Sequence, residues 1–221
     1  MQMQAQKYGL NLEYIWDFDV ASLSASDLKQ VESEALPKPS ISAVLKHIEA
    51  QRRAVASGLS ICLVLEDDVI LFDGFEFKLK KTLALAKSLD PGWLIFLGGA
   101  DNKIDNRFFR SIDFRLIENP LSTAEAYLLD IDGCRRRIDW LSGNKINKPA
   151  DHFLKYLDEI LNLRHYWVSE PMATQGSITG LFKTKLDLSR GKHSGIYLRL
   201  RYLYNRFRRQ LAPRFFRKYK I

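Results

Sequence analysis

Two short segments, Ile61–Leu65 and residues 93–97, are each five apolar residues in a row. They are too short for a buried helix and too continuous for a strand with one wet face. Turn residues bound them: Gly58 before the first, Asp90-Pro91-Gly92 before the second, Gly98-Gly99 after it. Runs of this kind are strands buried on both faces, as when helices cover both sides of a sheet. The surrounding pattern agrees. Ile41, Val44, Leu45, Ile48 and Val55 recur at helical spacing over 41–57, and helical character returns over 76–88, 132–142 and 151–162. Residues 114–117, 124–129 and 166–168 are further strand candidates, and Leu12-Glu13-Tyr14-Ile15-Trp16 alternates like a strand. Residues 22–39 read as a loop with at most a short helix. Strands alternating with helices predict an α/β fold, its sheet mixed and mostly parallel, flanked by helices.

Of the 221 residues, 46% are hydrophobic, enough for one sizeable core. No run of about 18 apolar residues exists to span a bilayer. The start, MQMQAQKYG, lacks an apolar core, so no secretion signal is expected. Cys62 sits inside an apolar run, far in sequence from Cys134, and reads as a small core residue; a reducing, cytoplasmic setting is expected. His47, His152, His165 and His193 show no zinc-ligand spacing. The net charge of +8 is uneven. From Arg190 to Ile221 there are eleven Lys or Arg and no acid; 34 less 11 leaves 23 basic residues elsewhere, against 26 acidic. The basicity therefore belongs to the C-terminal segment, and the body is mildly acidic.

The first buried run ends in Glu66-Asp67-Asp68 and resumes at once as Val69-Ile70-Leu71-Phe72. A solvated turn would explain an acidic pair after a strand. Here the acids are embedded between apolar residues, and clustered carboxylates at a partly buried site require a compensating cation. In open α/β sheets ligands lie beyond the carboxyl ends of the strands. Hard divalent ions such as Mn²⁺ or Mg²⁺ are held there by one or two carboxylates plus substrate phosphates. That chemistry suits a nucleotide-sugar transferase, in which the metal neutralises charge on the departing nucleoside diphosphate. Neither a Walker-type loop nor a G-x-G-x-x-G fingerprint is present.

Four features in order carry a resemblance. Leu45-Lys46-His47 lies on a helix ahead of the acids, and Leu63-Val64-Leu65-Glu66-Asp67-Asp68 joins a strand to an acidic motif. Thr123-Ala124-Glu125-Ala126-Tyr127-Leu128-Leu129 is followed by Gly133. Pro149-Ala150-Asp151 is followed by Pro171, Gln175 and Ser177. In these the chain, over roughly residues 8–180, resembles glycosyltransferase family 25, the lipooligosaccharide and collagen galactosyltransferases. The resemblance implies a GT-A fold and a UDP-sugar donor, often UDP-galactose, with inversion at the anomeric carbon. Asp68 and Asp67 would serve the metal, Mn²⁺ or Mg²⁺. Glu66, Asp67, His47 and Gln175 would face the donor. The acceptor would be a glycan, lipid-linked, in lipooligosaccharide or another cell-surface polysaccharide. Lys46 stands where the family has Ser, and Ser42-Ala43 where it has Gly-Cys. The family's first apolar strand and its arginines are expected to be missing, which leaves a rival: a non-catalytic transferase fold that binds a membrane or a partner.

An inverting reaction needs a base opposite the leaving group. Asp151 takes that place by the resemblance, while an aspartate at a helix start also serves as a cap; both readings stand. His47 is equally a boundary histidine, Gln175 a loop amide, and Tyr127 a core aromatic that would stack on a sugar. Gly98-Gly99-Ala100-Asp101 reads as a strand-exit turn near the sugar.

Beyond residues 1–185, taken as the GT-A-like domain, residues 186–221 form a basic tail. Ile196, Leu200, Leu203, Phe207 and Leu211 make one helical stripe with arginines opposite. This is the composition of an interfacial helix on an anionic membrane. Docking of the stripe on the body is the rival; nucleic acid ranks lower, since the body has no basic face. The expected location is cytoplasmic, peripheral on the inner face of the cytoplasmic membrane.

Overall fold

A computed structural model describes residues 1–32, 36–99, 114–182 and 194–208. Its helices are α1 (Gln2–Lys7), α2 (Ala25–Lys29), α3 (Lys38–Ala56), α4 (Phe75–Ala86), α5 (Ile131–Leu141), α6 (Ala150–Ile160) and α7 (Gly195–Arg206). Its strands are β1 (Ile61–Leu65), β2 (Val69–Leu71), β3 (Trp93–Phe96), β4 (Leu116–Glu118), β5 (Ala126–Asp130), β6 (Arg164–Val168) and β7 (Ala173–Gln175).

Local chemistry sets many of these boundaries. Pro37 precedes α3 and Pro39 lies in its first turn, where a missing N–H costs nothing. Just beyond the helix, Gly58 takes the left-handed backbone (φ +68°) that ends it. Asp130 closes β5 and opens α5: its carboxylate accepts the N–H groups of Gly92, Trp93 and Gly133 at 2.8, 3.0 and 3.1 Å. One acid thereby caps a helix and ties the start of β3 to the end of β5.

A five-stranded sheet runs β1-β5-β3-β6-β4, and β2 pairs with β7 in a separate antiparallel ribbon. The fold is mixed α/β, as expected. The expected predominance of parallel pairing is not found: β1–β5, β3–β5 and β4–β6 are antiparallel, and β3–β6 alone in this sheet is parallel. The reason is one inserted strand. β1 and β3 do point the same way, as the helix between them requires, but β5 enters between them in the opposite direction. Residues 12–16 also depart from the expected strand. They form no strand, and Trp16 is exposed, stacked on Tyr14 at 5.4 Å between ring centres. Their alternation instead presents Glu13 and Asp17 to Arg53 of α3.

The sheet is buried on both faces. On one, Trp93, Ile95, Ala126, Leu128, Tyr166 and Val168 pack with Phe75 and Ala86 of α4. On the other, Val64, Leu94, Phe96, Tyr127 and Trp167 pack with Cys134 of α5 and Leu154 of α6. Alternate residues of each strand feed the two clusters, the period-2 pattern of a sheet between helices. On the second face the Arg137 guanidinium pairs with Asp158, with 2.6 and 2.8 Å bonds, and His165 Nε2 lies 2.5 Å from the same carboxylate. All three are buried. Burial would raise the Asp158 carboxyl, but the Arg137 charge and these bonds outweigh it and hold the group low. The cysteines are free, Cys134 buried and Cys62 half-buried. The boundary at 185/186 and the tail beyond Arg208 lie outside the described residues.

Candidate active site

β1, β3 and β6 point the same way, so their carboxyl ends share one edge of the sheet, and β5 begins there. This edge collects Glu66, Asp67 and Asp68 after β1, Gly98 after β3 and Glu125 before β5. The acids form the connection from β1 to β2, a tight turn with Val69 N–H donating to the Glu66 carbonyl at 3.2 Å. Glu66 N–H donates to the Glu125 carbonyl at 2.9 Å, which extends the β1–β5 ladder by one step. Glu66 and Asp68 are half-buried; Asp67 is exposed.

Each acid is held differently. Asp68 is bound by the turn after β7: its carbonyl accepts Gly176 N–H at 2.9 Å, and its carboxylate accepts Ser177 N–H at 3.0 Å. Burial and the nearby Glu66 charge raise the Asp68 carboxyl above its usual range, against the opposing bonds from Ser177. Gly176 is required here, since a Cβ would stand 2.5 Å from the Asp68 carbonyl oxygen. Glu66 accepts from the Gln175 side-chain amide at 3.2 Å, and its other oxygen lies 3.5 Å from His47 Nε2. His47 is buried on α3, with Nδ1 2.7 Å from the Tyr127 hydroxyl. The structure thus brings His47, Tyr127, Glu66 and Gln175 into one polar chain, from residues up to about 130 positions apart.

Glu125 was not singled out by sequence reasoning. It is buried, 7% exposed, and burial pushes its carboxyl up to about 7, with the Glu66 and Asp68 charges adding to the shift. Gly98 makes room for it: a Cβ there would meet Glu125 Oε1 at 2.1 Å. The sequence signal was an acid at the threshold of an apolar strand with a diglycine after the facing strand. Neither means much until the two strands are known to be neighbours.

Asp151 lies in the first turn of α6 and is half-buried. Its carboxylate accepts the His152 N–H at 2.9 Å, and its carbonyl accepts from the Ser122 hydroxyl at 3.0 Å. Because α6 leads through a short connection into the start of β6, its N-terminus lies toward the same carboxyl edge. No hydrogen bond or ion pair among the described residues joins Asp151 to the acidic turn. Asp101 lies outside the described residues.

Among the described residues no group of three or more His, Cys, Asp or Glu is placed to hold a metal ion. His47 is, among the described residues, the basic side chain within ion-pair distance of these four carboxylates, and it meets Glu66 alone. Carboxyl groups have been gathered at a half-buried edge, where burial first, and the neighbouring carboxylates in addition, raise Asp68 and Glu125. An oxygen-ligated divalent cation completed by substrate phosphates relieves such a cluster.

No protein-family model matches the chain, and no curated protein matches it.

Proposed function

We propose that this protein is a metal-dependent inverting glycosyltransferase of GT-A type, which moves a hexose such as galactose from a UDP-sugar to a glycan hydroxyl. The observation that carries the reading is the gathering of Glu66, Asp67, Asp68 and Glu125 at the edge of the sheet where β1 ends and β5 begins. That is where open α/β sheets bind ligands and where a diphosphate brings its own cation. The resemblance to glycosyltransferase family 25 adds the donor class and points to lipooligosaccharide or another cell-surface glycan, built at the inner face of the cytoplasmic membrane.

In this reading Asp68 and Asp67 hold a Mn²⁺ or Mg²⁺ ion, Asp67 from its exposed position at the tip of the turn. Bound there, the ion would supply charge neutralisation for the leaving diphosphate. The Ser177 and Gly176 N–H groups fix Asp68 in place before any donor arrives. Glu66, held by Gln175 and His47, orients rather than ligates. Asp151 takes the acceptor proton from the neighbouring helix terminus.

A rival reading, a transferase-like fold that binds without catalysis, is favoured by the internal commitment of Glu66 to Gln175 and His47. Calorimetry with UDP separates them. Binding that requires Mn²⁺ and is lost in Asp68→Ala supports the transferase. Absence of UDP binding with or without Mn²⁺ overturns it.

A further inference from the structure

Helix α7 meets the body through one side only. Leu198 and Tyr202, one turn apart, are its buried residues, 9% and 6% exposed. At 100° per residue the side about 180° away carries Ile196, Leu200, Leu203 and Phe207. These are 75%, 63%, 48% and 51% exposed, so the stripe read from the sequence does not dock on the body. Tyr197 and Tyr204 widen it and are exposed as well. On the same wheel Arg201 and Arg208 border the stripe on one flank, Arg199 and Arg206 on the other. The Arg206 guanidinium sits 4.6 Å over the Phe72 ring, which pins the far end of the helix to the body beside β2. Exposed Leu181 and Phe182 follow Gly180, whose backbone abuts Gly195 at the start of α7. Exposed apolar side chains gathered on one face of a helix and rimmed by one sign of charge mark an interaction site.

We propose that this face docks the protein on an anionic lipid bilayer, with α7 lying in the plane of the surface. Charge decides the occupant. No acid occurs from residue 190 to 221, and arginines line both flanks of the stripe. Leucine, isoleucine and phenylalanine then enter the acyl boundary, while the exposed guanidinium groups of Arg199, Arg201 and Arg208 reach the headgroup phosphates. A second copy on the same face would set these arginine rows against each other. A nucleic acid would leave the aliphatic residues unused, since stacking calls for aromatic planes. No described helix is long and apolar enough to cross a membrane, so the contact is peripheral. The inference does not need the transfer reaction, but it bears on it. The turn that abuts α7 is the one whose Ser177 N–H holds Asp68, so one turn links the membrane-facing helix to the acidic edge. A glycan acceptor carried on lipid would be presented there.

The test is flotation of the full chain with phosphatidylcholine vesicles and with vesicles containing about one-third phosphatidylglycerol. The chain should float with the anionic vesicles. L200E/L203E should lower partitioning about tenfold or more, with unchanged circular dichroism and melting temperature, because both side chains are exposed. R201Q/R208Q should weaken it about fivefold per arginine and flatten its salt dependence. The proposal is overturned if the chain fails to float, or if L200E/L203E floats like the parent. Failure to float, with a dimer that L200E/L203E dissolves, gives the face to a second copy. Retention on single-stranded nucleic acid that R201Q/R208Q abolishes and L200E/L203E spares, again without flotation, gives it to nucleic acid. Calorimetry with UDP reports on the donor site independently of every arm.

Discussion

The Tyr127 hydroxyl lies 2.7 Å from His47 Nδ1, and His47 Nε2 lies 3.5 Å from Glu66. A carboxylate only accepts, so the tautomer that suits both neighbours carries its proton on Nε2 and accepts the Tyr127 hydroxyl on Nδ1. Burial holds that phenol neutral, its pKa well above the usual value, so it remains a donor throughout the working pH range.

Tyr127→Phe should therefore cost about 1 kcal/mol of stability through one lost buried hydrogen bond. It should also weaken Mn²⁺-dependent UDP binding several-fold, since His47 is then free to turn away from Glu66. Thermal unfolding and calorimetry on the same preparation check both. Loss of stability with unchanged UDP affinity would reduce the Tyr127–His47 pair to a packing role.

Glu125 predicts a pH dependence. Its folded carboxyl is raised from an ordinary 4.5 to about 7. Between those values the folded state holds a proton that the unfolded state has lost. Stability accordingly falls as pH rises through this window, and the full cost is present above it, on the order of 3 kcal/mol. Glu125→Gln removes that titration. The difference in melting temperature between variant and parent should grow in the variant's favour from pH 5 to pH 8. Parallel curves would show that the carboxyl does not titrate differently in the two states.

The Arg137–Asp158 pair predicts a stability effect remote from the acidic edge. Arg137→Met leaves Asp158 buried with His165 as its remaining partner, and should cost about 3–5 kcal/mol. Arg137→Met with Asp158→Leu should recover most of that, because the unpaired charge goes too. Chemical denaturation of the single and double variants measures both. A single variant close to the parent would mean that water reaches Asp158.

The pattern of local elements was legible in the residues. α3 was expected over 41–57 and is Lys38–Ala56; β1 and β3 were expected at their observed places. Periodicity and punctuation carry such information because they act over one or two turns of chain. The segments that were missed have weak local signals. β2 and β7 are three residues each and exist as strands only because they pair. Residues 12–16 carry a strand's alternation but find no partner strand.

By itself, the sequence determined that apolar runs would be sheet, that 41–57 would be helix, and that three carboxylates would stand where β1 ends. It also determined that the C-terminal segment would be basic with one apolar stripe. Only the tertiary structure decided that β5 runs between β1 and β3, which makes most of the sheet antiparallel and sets Glu125 beside the acidic turn. It alone decided that Tyr127 orients His47, that Ser177 holds Asp68, and that α7 turns its apolar stripe outward. The physical reason is range. Backbone propensity and side-chain periodicity act among neighbours in sequence, whereas strand order, the meeting of acids and the outward face of a helix depend on which distant segments exclude water together.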